Sequence, residues 1–64
     1  MKSVYEMNAT ELRSALGRCA DCTHKQAGLA QIRDYLALRE LSPMAAEYLL
    51  QRARVSLAHA RAYK

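Results

Sequence analysis

The sequence predicts an all-α protein: a small antiparallel helical hairpin or three-helix unit, paired with a second copy of itself. Three observations carry that prediction. Apolar residues recur at intervals of three and four through most of the chain, and nowhere do they alternate as in a half-buried strand. Leu41-Ser42-Pro43 is a sharp boundary between two helical stretches. Beyond it, the last stretch carries two separate oily stripes, and 64 residues have a core for only one of them.

Residues 1–7 are too mixed to assign to an element and read as a tail or short arm ahead of one domain over residues 8–64. Asn8 stands three residues before Glu11, the spacing of an N-cap with a carboxylate reaching back, although Ser or Thr is the usual cap in such a box. Leu12, Ala15, Leu16 and Cys19 then follow with helical periodicity, so a first helix is expected over about Ala9 to Ala20. Gly17 within it weakens that helix by about 1 kcal/mol relative to Ala.

Asp21 to Gln26 is the most polar interior stretch, and either Asp21 or Thr23 can cap a second helix. That helix is expected to run to about Glu40, with Leu29, Ile32 and Leu36 on its buried side. Periodicity leaves open whether residues 9–40 form two helices or one rod. A rod of that length would extend about 48 Å, more than the final helix can cover. Its bare half would then need a partner chain.

At the boundary, Ser42 suits the N-cap and Pro43 suits the first helical position, where its missing N–H does no harm. Proline also disfavours helical geometry at Ser42, so the preceding helix must stop there. A connection this short makes its flanking helices antiparallel neighbours. In the helix from Pro43 to Lys64, one side carries Ala46, Leu49, Leu50, Ala53, Leu57 and Ala60. Met44, Tyr48, Val55 and Ala62 fall on nearly the opposite side.

Nine Leu, one Ile and two Val, with no Phe or Trp, leave little large apolar volume for a core, and twelve Ala add helix propensity more than buried area. A chain this small gains from self-association, which is the energetic argument for a homodimer. The net charge of +4 is uneven, with +1 over residues 1–32 and +3 over residues 33–64, and no acid follows Glu47. That balance suits nucleic acid, an acidic protein surface or anionic lipid without choosing among them. No uncharged run approaches the ~18 residues of a membrane span, and the N-terminus has no apolar stretch behind Lys2 to act as a secretory signal. Two cysteines three apart do not resemble an extracellular disulfide framework, so a reducing cytoplasm is the expected compartment.

Little in the chain suits catalysis or a cofactor. Cys19-Ala20-Asp21-Cys22 has redox spacing, but a low-pKa thiol of that kind begins a helix after a strand, and Cys19 falls at a helix end. A zinc site would have to recruit His24 and the distant His59, which is far less specific than two spaced Cys pairs. The simpler expectation places Cys19 on the apolar face and Cys22 near a turn. The serines lack a glycine-rich elbow, and Gly17 and Gly28 stand alone, with no phosphate-cradling loop. No enzyme, metal or cofactor is expected.

Recognition has more to stand on. Tyr, Met and Arg are enriched at interface centres because they bury much surface and keep a polar or polarizable handle. Met44, Tyr48, Arg52 and Val55 form such a strip, which Tyr35 and Arg39 of the second helix extend. Arg52, Arg54, Arg61 and Lys64 are the alternative, a basic surface for nucleic acid assembled from two protomers.

Thr10-Glu11 through Leu16, Arg18-Cys19, Leu41-Ser42 and Ser56-Leu57-Ala58 resemble stretches of the small helical Hha/YmoA modulators. The resemblance implies a non-catalytic protein that acts by binding a larger nucleoid protein. Alignment needs an insertion between Cys19 and Leu41, and Pro43 stands where that family has an acidic residue. In architecture alone, the chain is also similar to plasmid-encoded helical-hairpin dimers that bind RNA. The expected function is thus a helical adaptor or inhibitor occupying a larger regulatory protein, of the compact kind common on phages and plasmids.

Overall fold

Asn8 and Glu11 open the first helix reciprocally. In a computed structural model describing residues 2–63, the Glu11 N–H donates to Asn8 Oδ1 at 2.9 Å and the Asn8 N–H donates to Glu11 Oε1 at 3.0 Å. The capping box is therefore complete despite the Asn cap. Lys2 Nζ donates to the other Glu11 oxygen at 2.8 Å. That bond, then the backbone bond at Asn8, holds the Glu11 carboxyl below its ordinary value.

Three helices follow: α1 (Ala9–Gly17), α2 (Thr23–Leu38) and α3 (Pro43–Ala62). The described residues contain no strand. Helix α1 stops three residues short of the expected Ala20. Arg18 and Cys19 donate to the carbonyls of Ala15 and Leu16, at 3.2 and 3.1 Å, which tightens the last turn and ends the helix. Lys25 Nζ then donates to the Gly17 and Cys19 carbonyls at 3.5 and 3.2 Å, satisfying acceptors that the helix end leaves open.

Residues 9–40 are thus two helices and not one rod, broken at residues 18–22. Neither expected cap serves α2. Cys22 occupies the N-cap position in extended geometry without a side-chain cap bond, while Asp21 Oδ1 accepts instead from Gln26 Nε2 at 2.8 Å. Helix α2 ends at Leu38, two residues before Glu40, where Leu41 and Ser42 both donate to the Leu38 carbonyl. Helix α3 begins with Pro43 in its first turn, as expected. Ser42 holds the N-cap position but its hydroxyl makes no cap bond, and only its carbonyl serves, accepting from the Ala46 N–H at 2.9 Å.

The largest interface lies between α2 and α3, and α1 closes over both. Leu12, Leu16, Ile32 and Leu57 are fully buried at its centre. Met7 belongs to the same core, so the N-terminal arm is packed: a 3-10 turn over Val4–Glu6 lies on α3, and Arg54 Nη2 donates to the Met7 carbonyl at 3.1 Å. Helix α2 comes close because residue 28 is glycine. A Cβ there would lie 2.8 and 2.9 Å from the two Leu16 methyls and 3.2 Å from the Ser56 Cβ. Ser56, buried beside it, donates its hydroxyl to Gln31 Oε1 at 2.7 Å.

The buried side of α2 is narrower than expected. Ile32 is in the core, Leu29 is half-buried, and Leu36 is 40% exposed. Helix α1, nine residues long, is too short to cover them. Leu29, Ile32 and Leu36 with Arg13 and Arg33 instead line an open groove of about 530 Å³.

Candidate functional site: the outer face of α3

Helix α3 divides its apolar residues between two faces. Ala46, Leu50, Ala53, Leu57 and Ala60 are buried against the rest of the chain, and Leu49, expected with them, is half-buried at their edge. On the other face Met44 is 88% exposed, Tyr48 65% and Val55 37%, and Ala62 is also exposed. The second stripe is therefore open to solvent.

Arg52 is exposed beside Tyr48 and Val55 on this face. The structure thus brings together four of the expected partner-binding residues: Met44, Tyr48, Arg52 and Val55. Tyr35 is instead half-buried and packs on the core, so it holds α2 in place more than it extends the strip. Arg39 is exposed at the end of α2, in the corner before α3. Leu41, which the sequence reading used only as a boundary marker, is 83% exposed in that corner. Gln51 and Ala58 are exposed and continue the spacing of the strip. The signal for both was present, because three- and four-residue steps from Met44 lead to them, but neither is apolar and bulky enough to draw notice.

The basic set is divided. Arg52 and Arg61 are exposed. Arg54 is turned toward the arm, with Nη2 on the Met7 carbonyl and Nε buried without a partner. Lys64 lies outside the described residues. One acid adjoins the strip, Glu47, and its Oε1 accepts from Gln51 Nε2 at 3.1 Å.

Cys19 packs on the core and donates its thiol to the Ala15 carbonyl at 3.4 Å, and Cys22 is half-buried in the turn before α2. His24 and His59 do meet, edge to face with ring centres 4.9 Å apart, joining the first turn of α2 to the last turn of α3. Among the described residues no three His, Cys, Asp or Glu side chains gather in a group suited to a metal ion. No helix among them is long and apolar enough to cross a membrane.

Comparison with known protein families, curated proteins and solved structures finds no significant match for this chain.

Proposed function

We propose that this chain is a non-catalytic helical adaptor or inhibitor that docks onto a larger regulatory protein in a reducing cytoplasm and alters its activity. In this reading α2 and α3 form an antiparallel hairpin that stiffens α3, and the outer face of α3 is the docking surface. One observation carries it: Met44 and Tyr48 stand largely in water on a helix whose opposite face already fills the core. A rigid apolar strip with Arg at its rim is a common way for a helix to enter a groove, with the charges speeding encounter.

Self-association through the same face is a second reading, favoured by the small core of ten buried apolar residues. A nucleic-acid surface is weaker support for function than it is in the sequence, because Arg54 is engaged by the Met7 carbonyl. Affinity capture from native lysate, with nuclease treatment, tests the proposal. The partner should survive nuclease and be lost with Tyr48→Ala, whose circular dichroism should match the parent. Capture unaffected by Tyr48→Ala removes the α3 face from the interaction. Salt separates the nucleic-acid reading, since each neutralised phosphate of a duplex lowers log K by ~0.9 per decade of salt, and apolar docking is nearly flat.

A further inference from the structure

The outer face of α3 has unequal ends. Its first half presents the large exposed side chains Met44 and Tyr48, and its second half presents Ala58 and Ala62. The small end is also hollow. Ala58 and Ala62 line an open depression of about 420 Å³ together with His24, His59 and Tyr63. The His24 and His59 rings meet edge to face at 4.9 Å, so α2 shares in shaping it. One helix therefore carries two bulky apolar projections and, about 21 Å further along the same face, a hollow lined by methyls and rings. A rigid helix cannot fill its own hollow.

A second copy can. A two-fold axis level with Ala53 and perpendicular to α3 sets two α3 helices antiparallel. Met44 then lies opposite the other copy's Ala62, Tyr48 opposite its Ala58, and Gln51 opposite its Val55. The contact is isologous, so both sets of projections find hollows at once and no open end is left to extend the assembly. The rings around the hollow suit Met44 in particular, whose thioether is attracted to aromatic edges. A parallel pair would set Met44 and Tyr48 against their own counterparts and leave both hollows empty.

Charge agrees with the antiparallel arrangement. The axis keeps each flank of α3 against the same flank of the other copy. On one flank Glu47 comes within a turn of the other copy's Arg61, twice by symmetry, and both residues are exposed. Neither has an ion pair in its own chain among the described residues, Glu47 only accepting from Gln51 Nε2. Arg54, midway along that flank, is drawn off to the Met7 carbonyl. On the other flank the two Arg52 side chains approach near the axis, where exposure to water and salt weakens their repulsion. Two opposite-charge pairs thus stand against one like-charge pair.

We propose that the outer face of α3 pairs with that of a second copy, antiparallel about an axis level with Ala53, each copy's Met44 and Tyr48 filling the other's hollow at Ala58 and Ala62. This rests on the self-association reading above and gives it a register and a fit. The pair covers the face that the adaptor reading uses, so a larger protein and the second copy exclude one another there.

Sedimentation equilibrium of the full chain over a range of concentrations should show a reversible monomer–dimer equilibrium without larger species. Glu47→Arg and Arg61→Glu should each weaken the dimer roughly tenfold, since two symmetric contacts turn from attractive to repulsive. Mixed in equal amounts, those variants should pair with each other, because one chain supplies Arg at both places and the other supplies Glu. Tyr48→Ala removes a projection and Ala58→Tyr fills a hollow, and each should weaken the dimer at unchanged helix content. A chain that stays monomeric at millimolar concentration overturns the proposal and the self-association reading together, and leaves the face to a foreign occupant. A dimer that Tyr48→Ala weakens, but whose charge variants neither weaken it nor pair with each other, overturns the antiparallel register alone. A dimer indifferent to Tyr48→Ala and Ala58→Tyr lies on another surface and overturns the proposal.

Discussion

Gly17 and Gly28 look alike in the sequence, yet replacing each by Ala should move stability in opposite directions. Either change removes backbone freedom from the unfolded chain and improves helix propensity, a gain of about 0.5–1 kcal/mol. At Gly17 the new methyl meets nothing within 4 Å, so the gain is realised. At Gly28 it meets both Leu16 methyls at 2.8 and 2.9 Å, and Leu16 is 0% exposed, so any shift of its methyls is into the core. Overpacking of that kind costs about 1–3 kcal/mol. The propensity gain is common to both variants, so the overlap should appear as their difference, about 1–3 kcal/mol. For a domain of this size that separates the two melting temperatures by roughly 4 °C or more. Urea denaturation followed at the helix band of circular dichroism measures it directly. A double-mutant cycle localises the effect: Leu16→Ala should cost less in the Gly28→Ala background than in the parent. Equal stability of Gly17→Ala and Gly28→Ala would refute the close approach of α2 to α1.

Tyr48→Ala should leave urea stability unchanged or slightly raised while weakening partner capture, since Tyr is the poorer helix former and its ring covers no core residue at 65% exposure. Unfolding of that variant would place the ring inside and remove the interface. Leu50→Ala should do the reverse, costing about 2–5 kcal/mol as a truncation of a buried side chain, read from the same urea curves. Glu11 has a carboxyl pKa lowered from 4.5 by Lys2 and the Asn8 N–H, so its contribution is present above about pH 4.5 and disappears as pH falls through the lower folded value. In Glu11→Gln, which keeps a capping side chain, acid melting curves should lose that part of their pH dependence. If the acid limb of the variant overlays that of the parent, the Lys2–Glu11 pair is not maintained in solution.

Local signals in the sequence were strong wherever chemistry acts over a few residues. Asn8 with Glu11, and Pro43 after Ser42, place two helix starts correctly because a cap or a missing N–H is decided by neighbours in the chain. Helix ends were less legible. The stop at Gly17 depends on Lys25, eight residues away, and on a turn whose bonds have no residue-type signature. Met7 joined the core unannounced, because one apolar residue in a mixed stretch has no periodicity to reveal it. Gly28 was equally silent: that it lets α1, α2 and Ser56 converge is a fact of tertiary distance. The division of α3 into two faces was readable since both stripes lie on one regular helix, where angular position follows from number alone. The Arg54 contact was illegible for the opposite reason, its partner being a carbonyl 47 residues earlier.

The distribution of residues on α3 bears directly on the proposed docking role of its outer face. A chain under pressure only to fold would put its bulkiest apolar side chains inside, because buried area is what a small domain lacks. Here Ala46, Ala53 and Ala60 alternate with Leu50 and Leu57 on the inner face, so three of its five apolar places are small, while Met44 and Tyr48 stand in water. Small residues inside let the neighbouring elements approach α3 closely, so packing there comes from proximity more than from side-chain volume. Large residues outside cost helix propensity at Tyr48 and Val55 and expose apolar surface, and the fold recovers neither. Exchanging Tyr48 and Val55 together for Ala should therefore leave the isolated protein at least as stable in urea. Loss of more than about 1 kcal/mol in that double variant would show that the outer face supports the fold, and the case for a docking surface would fail with it.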